Sequence, residues 1–109
     1  MEIISKSKEF NKQEVYKLTR GQSINMKDAI GTAFSPVGYI KYKEENSKGE
    51  VVEILAILST DGSVYSTMSA TFKREFQYIW DLMEGDEFTI AVIGGVTKSN
   101  RDFVSCTLA

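Results

Sequence analysis

Two short runs carry side chains suited to holding a chain of phosphates and flat bases. Tyr39-Ile40-Lys41-Tyr42-Lys43 interleaves two aromatics with two cations. On an extended strand Tyr39, Lys41 and Lys43 share one side, and Ile40 and Tyr42 the other. Whichever side meets water, an aromatic goes with it. Lys98-Ser99-Asn100-Arg101-Asp102-Phe103 adds two cations and a further aromatic. A sequence-neutral binder of single strands needs flat side chains for base stacking and cations along the backbone. Tyr65, on a separate short strand, is expected to line the floor between these runs. The candidate nucleic-acid-binding set is therefore Tyr39, Lys41, Tyr42, Lys43, Tyr65, Lys98, Arg101 and Phe103. Tyr is also a favoured strand residue, so each tyrosine taken singly reads more readily as ordinary sheet packing. Phe103 differs. Its strand already has an apolar face in Val104, Cys106 and Leu108, which leaves Phe103 surplus to the core and beside Arg101.

Catalytic chemistry has little to stand on. The chain has no histidine, the commonest general base and metal ligand, so no serine has an activating partner. Cys106 is the single cysteine. It allows neither an intrachain disulfide nor a cysteine-based zinc site, and on an apolar strand face it reads as structural. Glu84, Asp86 and Glu87 surround Gly85 in what reads as a solvated turn without a calcium-loop pattern. Gly94-Gly95 lacks the further glycines, lysine and helix of a phosphate loop. The expectation is a non-enzyme with no metal and no cofactor.

The elements that position these residues follow from the pattern. With 109 residues and 42% apolar content the chain makes one ordinary domain. Asn11 caps a short helix that carries Glu14, Val15 and Leu18 and stops at Gly21; residues 22–30 read as a linker with a turn at Met26–Ala29. Residues 1–30 form an N-terminal helical extension, and residues 31–109 the main domain. From Gly31 the period shifts to two. A long strand from Thr32 to Lys43 is interrupted by Pro36 and Gly38, as suits one that bends to serve two sides of a barrel. Val51 to Ser59 is the second strand. Asp61-Gly62 predicts a type I′ turn, and Ser63 to Thr67 is the third strand. Phe72, Phe76, Ile79 and Met83, with Trp80 beside them, mark a helix over 70–83. Phe88 to Ile93 and Arg101 to Leu108 complete five strands, with Gly94-Gly95 ending or bending the fourth. Three strands, a helix and a hairpin is the order of an OB-fold: mainly β, a five-stranded barrel with the helix between strands three and four plugging its base.

Charge is unevenly spread along the chain. Residues 1–43 carry eight basic and four acidic side chains, residues 44–95 three and ten, and residues 96–109 two and one. The total is −2, so any basic surface is local. The N-terminal Met1–Lys6 is charged too early for a signal peptide, and no apolar run reaches the roughly 20 residues of a membrane span. A reduced cytoplasmic location and no membrane partner are expected.

Several runs together resemble a known family: Glu14-Val15-Tyr16-Lys17-Leu18-Thr19, Gly38-Tyr39-Ile40-Lys41-Tyr42, Leu58-Ser59-Thr60-Asp61-Gly62, Ser69-Ala70-Thr71-Phe72 and Thr97 through Cys106. The chain resembles the small single-stranded DNA-binding proteins of tailed phages of Gram-positive bacteria. That resemblance implies an OB-like barrel. It also implies protection of single-stranded DNA during phage replication or recombination, in the host cytoplasm, with replication or recombination proteins as further partners. Bacterial proteins of like function carry a disordered acidic C-terminal tail that recruits partners. Here a strand runs directly into Thr107-Leu108-Ala109, so recruitment by such a tail is not expected. The competing reading is a protein-interaction or inhibitor module whose acidic middle engages a basic partner. No motif specifies an oligomeric state.

Overall fold

The computed structural model describes all 109 residues, with strands as the main secondary structure. The elements are β1 (Glu2–Lys6), α1 (Lys12–Thr19), β2 (Ile24–Asn25), a 3₁₀ turn (Met26–Ala29), β3 (Ala33–Phe34), β4 (Pro36–Glu45), β5 (Val51–Ser59), β6 (Val64–Thr67), α2 (Ala70–Met83), β7 (Ile90–Val96) and β8 (Asp102–Leu108). They hydrogen-bond as two sheets, β1-β4-β5-β6-β2 and β3-β7-β8. The expected Thr32–Lys43 strand is split at Ser35. Its first piece pairs with β7 and its second with β5. The register shifts between Pro36 and Gly38, where the Phe10 ring and the Ser7 hydroxyl lie against the bare glycine. One chain segment therefore belongs to both sheets. No helix is long and apolar enough to cross a membrane.

The main core lies between the sheets and under α2. Phe72, Phe76 and Ile79 are buried there with Tyr39, Leu55, Ile57, Ile90, Val92, Val104 and Cys106. The Ser69 hydroxyl caps α2 by accepting from the Phe72 N–H at 3.2 Å. A second, smaller core lies on the other face of the five-stranded sheet. Ile40, Tyr42, Ala56 and Val64 are covered there by Leu18 of α1, with Phe10 and Val15 packed alongside. The capping box that starts α1 is complete. The Glu14 N–H donates to the Asn11 side-chain oxygen at 2.8 Å, and the Asn11 N–H donates to the Glu14 carboxylate at 3.0 Å.

Residues 1–30 hold more than the expected helix and linker. β1 pairs antiparallel with β4, and β2 pairs parallel with β6, so the sheet gains a strand at each edge. β1 is exposed along its whole length, and a bulge between Ile3 and Ser5 breaks its alternation, which removes the period-two signal. The hairpins also differ from expectation. Gly62 donates its N–H to the Ser59 carbonyl, and Ser59 donates to Ser63, with positive φ at Gly62 and not at Asp61. That is a type I turn followed by a left-handed residue, not the type I′ turn predicted. The other two hairpins repeat it: Gly49 donates to Asn46 and Asn46 to Glu50, while Asn100 donates to Thr97 and Thr97 to Arg101. In the last of these Asn100, at φ 59°, stands where the others have glycine.

Candidate nucleic-acid interface

Strand alternation decides where the sequence-marked residues go, and burial of both sheet faces decides which stay accessible. Tyr39 points into the main core, edge-on to Trp80 at 5.2 Å and to Phe76 at 5.6 Å. Tyr42 points the opposite way, under α1, with its hydroxyl 3.5 Å from the Thr19 carbonyl. Burial raises its phenol pKa; Glu44 adds to the shift and Arg20 opposes it. The expectation that one of these two tyrosines faces solvent is therefore corrected: both are buried. The reason is the N-terminal segment, which covers the face that alternation alone would leave wet.

The remaining candidates divide by element. Lys41 donates to the Gln77 side chain at 2.7 Å, with its ammonium 5.9 Å from the Tyr39 ring centre. Lys43 is exposed, but the strand register sets it between Glu2 and Glu53. Tyr65 is half-buried, stacked on Phe34 at 3.9 Å with the planes 9° apart. Lys98, Arg101 and Phe103 come together on the β7–β8 hairpin, whose residues 93–102 are all exposed. This hairpin forms an arm.

The glycine pair expected to end or bend the fourth strand lies inside β7, and both positions have a steric reason. A Cβ on Gly95 would sit 3.1 Å from a carbon of the half-exposed Phe103 ring, so the ring lies on bare backbone. A Cβ on Gly94 would run into the Ile30 side chain and come 2.9 Å from the Phe103 carbonyl. Ile30 follows the 3₁₀ turn, so that turn is clasped to the root of the arm. Arg101, just before β8, is exposed and Phe103 half-exposed, against buried Val104 and Cys106; Ser105, expected on the Phe103 side, is buried as well. Leu108, expected inside, is 44% exposed at the strand's end.

At the root of the arm the structure adds a groove of about 430 Å³, lined by residues that include Asn25, Lys27, Ser66, Met68, Ser69 and Val104. A 3.1 Å hydrogen bond from the Ser69 hydroxyl, at the start of α2, to the Val104 carbonyl of β8 joins two of its walls. Sequence reasoning missed Lys27 because residues 22–30 read as a linker; the N-capping Asn25 before Met26–Ala29 was the available signal. The groove's polar atoms are largely engaged. The Asn25 side-chain oxygen accepts from the Lys27 N–H, Ser66 shares a hydrogen bond with Ser23, and Ser69 is held by Phe72 and Val104. The three ion pairs of the protein, Lys6–Glu9, Arg20–Glu44 and Lys73–Glu53, leave Lys27, Lys98 and Arg101 unpaired.

Cys106 is buried, and desolvation, with a smaller contribution from Glu75, pushes its thiol up to about 12. It is a packing residue rather than a nucleophile. No group of three or more Asp, Glu or Cys side chains gathers as a metal site would require. No protein-family model, no curated protein and no solved structure matches the chain.

Proposed function

We propose that this protein is an OB-type barrel that binds single-stranded DNA with little sequence preference, protecting it during phage replication or recombination. The barrel reading is supported by the bent β3–β4 segment shared between sheets and by α2 between β6 and β7, since this fold is commonly a partly open Greek-key barrel. The observation that carries the binding role is the Phe103 ring, half-exposed on Gly95, with Arg101 and Lys98 free on the same arm.

The mechanism follows from the side chains. Phe103 offers a hydrophobic plane against which a base stacks, a contact any base can make. Arg101 and Lys98 neutralise phosphates along the arm, and Lys27 does so at the groove. Low sequence preference follows from stacking on Phe103 and from charge contacts to phosphates, neither of which reads a base edge. Duplex DNA hides its base faces, and three cations without stacking hold it poorly.

Fluorescence anisotropy with an end-labelled oligo-dT tests the reading. The label reports binding directly, whereas Trp80 sits against Tyr39, Phe76 and Phe88 on α2 and not on the arm. Tight single-strand and weak duplex binding are expected. Equal affinity for both would reject stacking. A second reading, the protein-interaction or inhibitor module, is favoured by the exposed Tyr78 and Leu82 on α2 amid carboxylates. It requires no binding to oligo-dT even at low salt.

A further inference from the structure

Two exposed helix faces on opposite sides of the protein carry opposite charge. On α1, Lys12 and Tyr16 stand four apart with Lys17 beside them, and Arg20, paired with Glu44, follows at the C-cap. Tyr16 is 67% exposed while Leu18 on the far side packs on the five-stranded sheet. On α2, Tyr78 and Leu82 are 65% and 60% exposed, also four apart. Glu75 and Asp81 flank them and Glu84, Asp86 and Glu87 follow the helix end, five carboxylates against the one exposed cation Arg74, a turn before Tyr78. None of these five carboxylates is in an ion pair. No basic residue stands in the last turn of α2, so the negative pole of the helix adds to their field. Each face thus has an apolar aromatic centre and a charged rim, the anatomy of an interface, and the rims are complementary.

We infer that a second copy of this chain covers the α2 face, docking its α1 face there. Lys12 and Lys17 of one copy meet the carboxylates of the next, and Tyr16 packs against Tyr78 and Leu82. Because the two faces differ, the contact is head-to-tail. It leaves a free α1 at one end and a free α2 at the other, so assembly continues instead of closing as a two-fold dimer. On the single-strand reading proposed above, such an array makes coating of DNA cooperative; the assembly itself needs no DNA.

Sedimentation of the full chain without DNA tests it. At low salt the mean mass is expected to climb with concentration past two copies, and at high salt to return to the 12.2 kDa of one chain. The variant Asp81→Lys/Asp86→Lys/Glu87→Lys should remain single, as should Lys12→Glu/Lys17→Glu. An equal mixture of the two should associate again, because each then offers the charge the other lacks. Tyr78→Ala, which leaves every charge in place, should weaken association by about tenfold or more, as loss of a central interface aromatic does. A single-chain mass at every concentration in low salt would overturn the inference. So would a plateau at two copies, or a mixture that stays unassociated. Loss of oligo-dT binding with intact self-association would instead count against the DNA reading alone.

Discussion

Replacing Phe103 with alanine separates binding from folding. The ring is half-buried on Gly95, so about half of the 1.5–3 kcal/mol gained by burying such a side chain is at stake, roughly 1 kcal/mol. Losing a base-stacking partner costs about 1–3 kcal/mol of affinity, roughly 5- to 150-fold in Kd. Anisotropy titrations with labelled oligo-dT, paired with urea melts, read both quantities on one preparation. Phe103→Trp keeps a stacking plane and should bind near the parent level. Gly95→Ala supplies a companion test. Its new methyl sits 3.1 and 3.4 Å from two ring carbons, so the ring must shift by a few tenths of an ångström while remaining aromatic. A modest loss of affinity is expected there, smaller than for Phe103→Ala. If Phe103→Ala lowers the urea midpoint yet binds oligo-dT like the parent, the ring is a packing element and the stacking mechanism is wrong.

With Lys27, Lys98 and Arg101 as the contacting cations, log affinity should fall with log salt at a slope near −2, about 0.7 for each phosphate. Lys98→Ala should flatten it by about 0.7; an unchanged slope removes Lys98 from the contact. Phe76→Ala should cost about 3–5 kcal/mol in urea unfolding, since the side chain is wholly buried in the main core. Alkaline pH should destabilise the fold. Folded Cys106 keeps its proton up to about 12 while the unfolded thiol releases it near 9, so the native state binds more protons in between and stability falls as pH rises through that window. The raised Tyr42 phenol acts in the same direction above pH 10. Urea midpoints from pH 8 to 11 should therefore decline, and Cys106→Ala should lessen the decline between pH 9 and 10.

The helix over 70–83 was legible because Phe72, Phe76 and Ile79 keep a clean 3.6-residue period behind a capping Ser69, and α2 spans Ala70–Met83. The half-exposure of Phe103 beside buried Val104 was legible because β8 keeps an unbroken register with β7, whereas the burial of Ser105 on the Phe103 side was not. The fate of Tyr42 was not. Alternation assigns it a face, but what covers that face depends on Leu18, Phe10 and Val15, docked from a segment over 20 residues away in sequence. The groove was hidden for a related reason. Lys27 and Asn25 reach Val104 only through the parallel pairing of Ile24 with Tyr65, which no local pattern announces.

The cover over Tyr42 bears on the order of events during synthesis. Glu2 must wait for Lys43, and Ile24 for Tyr65, before either can pair. Each wait is about forty residues, on the order of two to eight seconds at 5–20 residues per second. The segment that waits is suited to it, since β1 is exposed even in the finished fold and α1 buries only Leu18. The apolar outer face of β4 and β5, in contrast, has its cover already off the ribosome when it emerges. Were the same segment joined after β8, Ile40, Tyr42 and Ala56 would stand bare while the rest of the domain was made, as an open surface for another nascent chain to stick to.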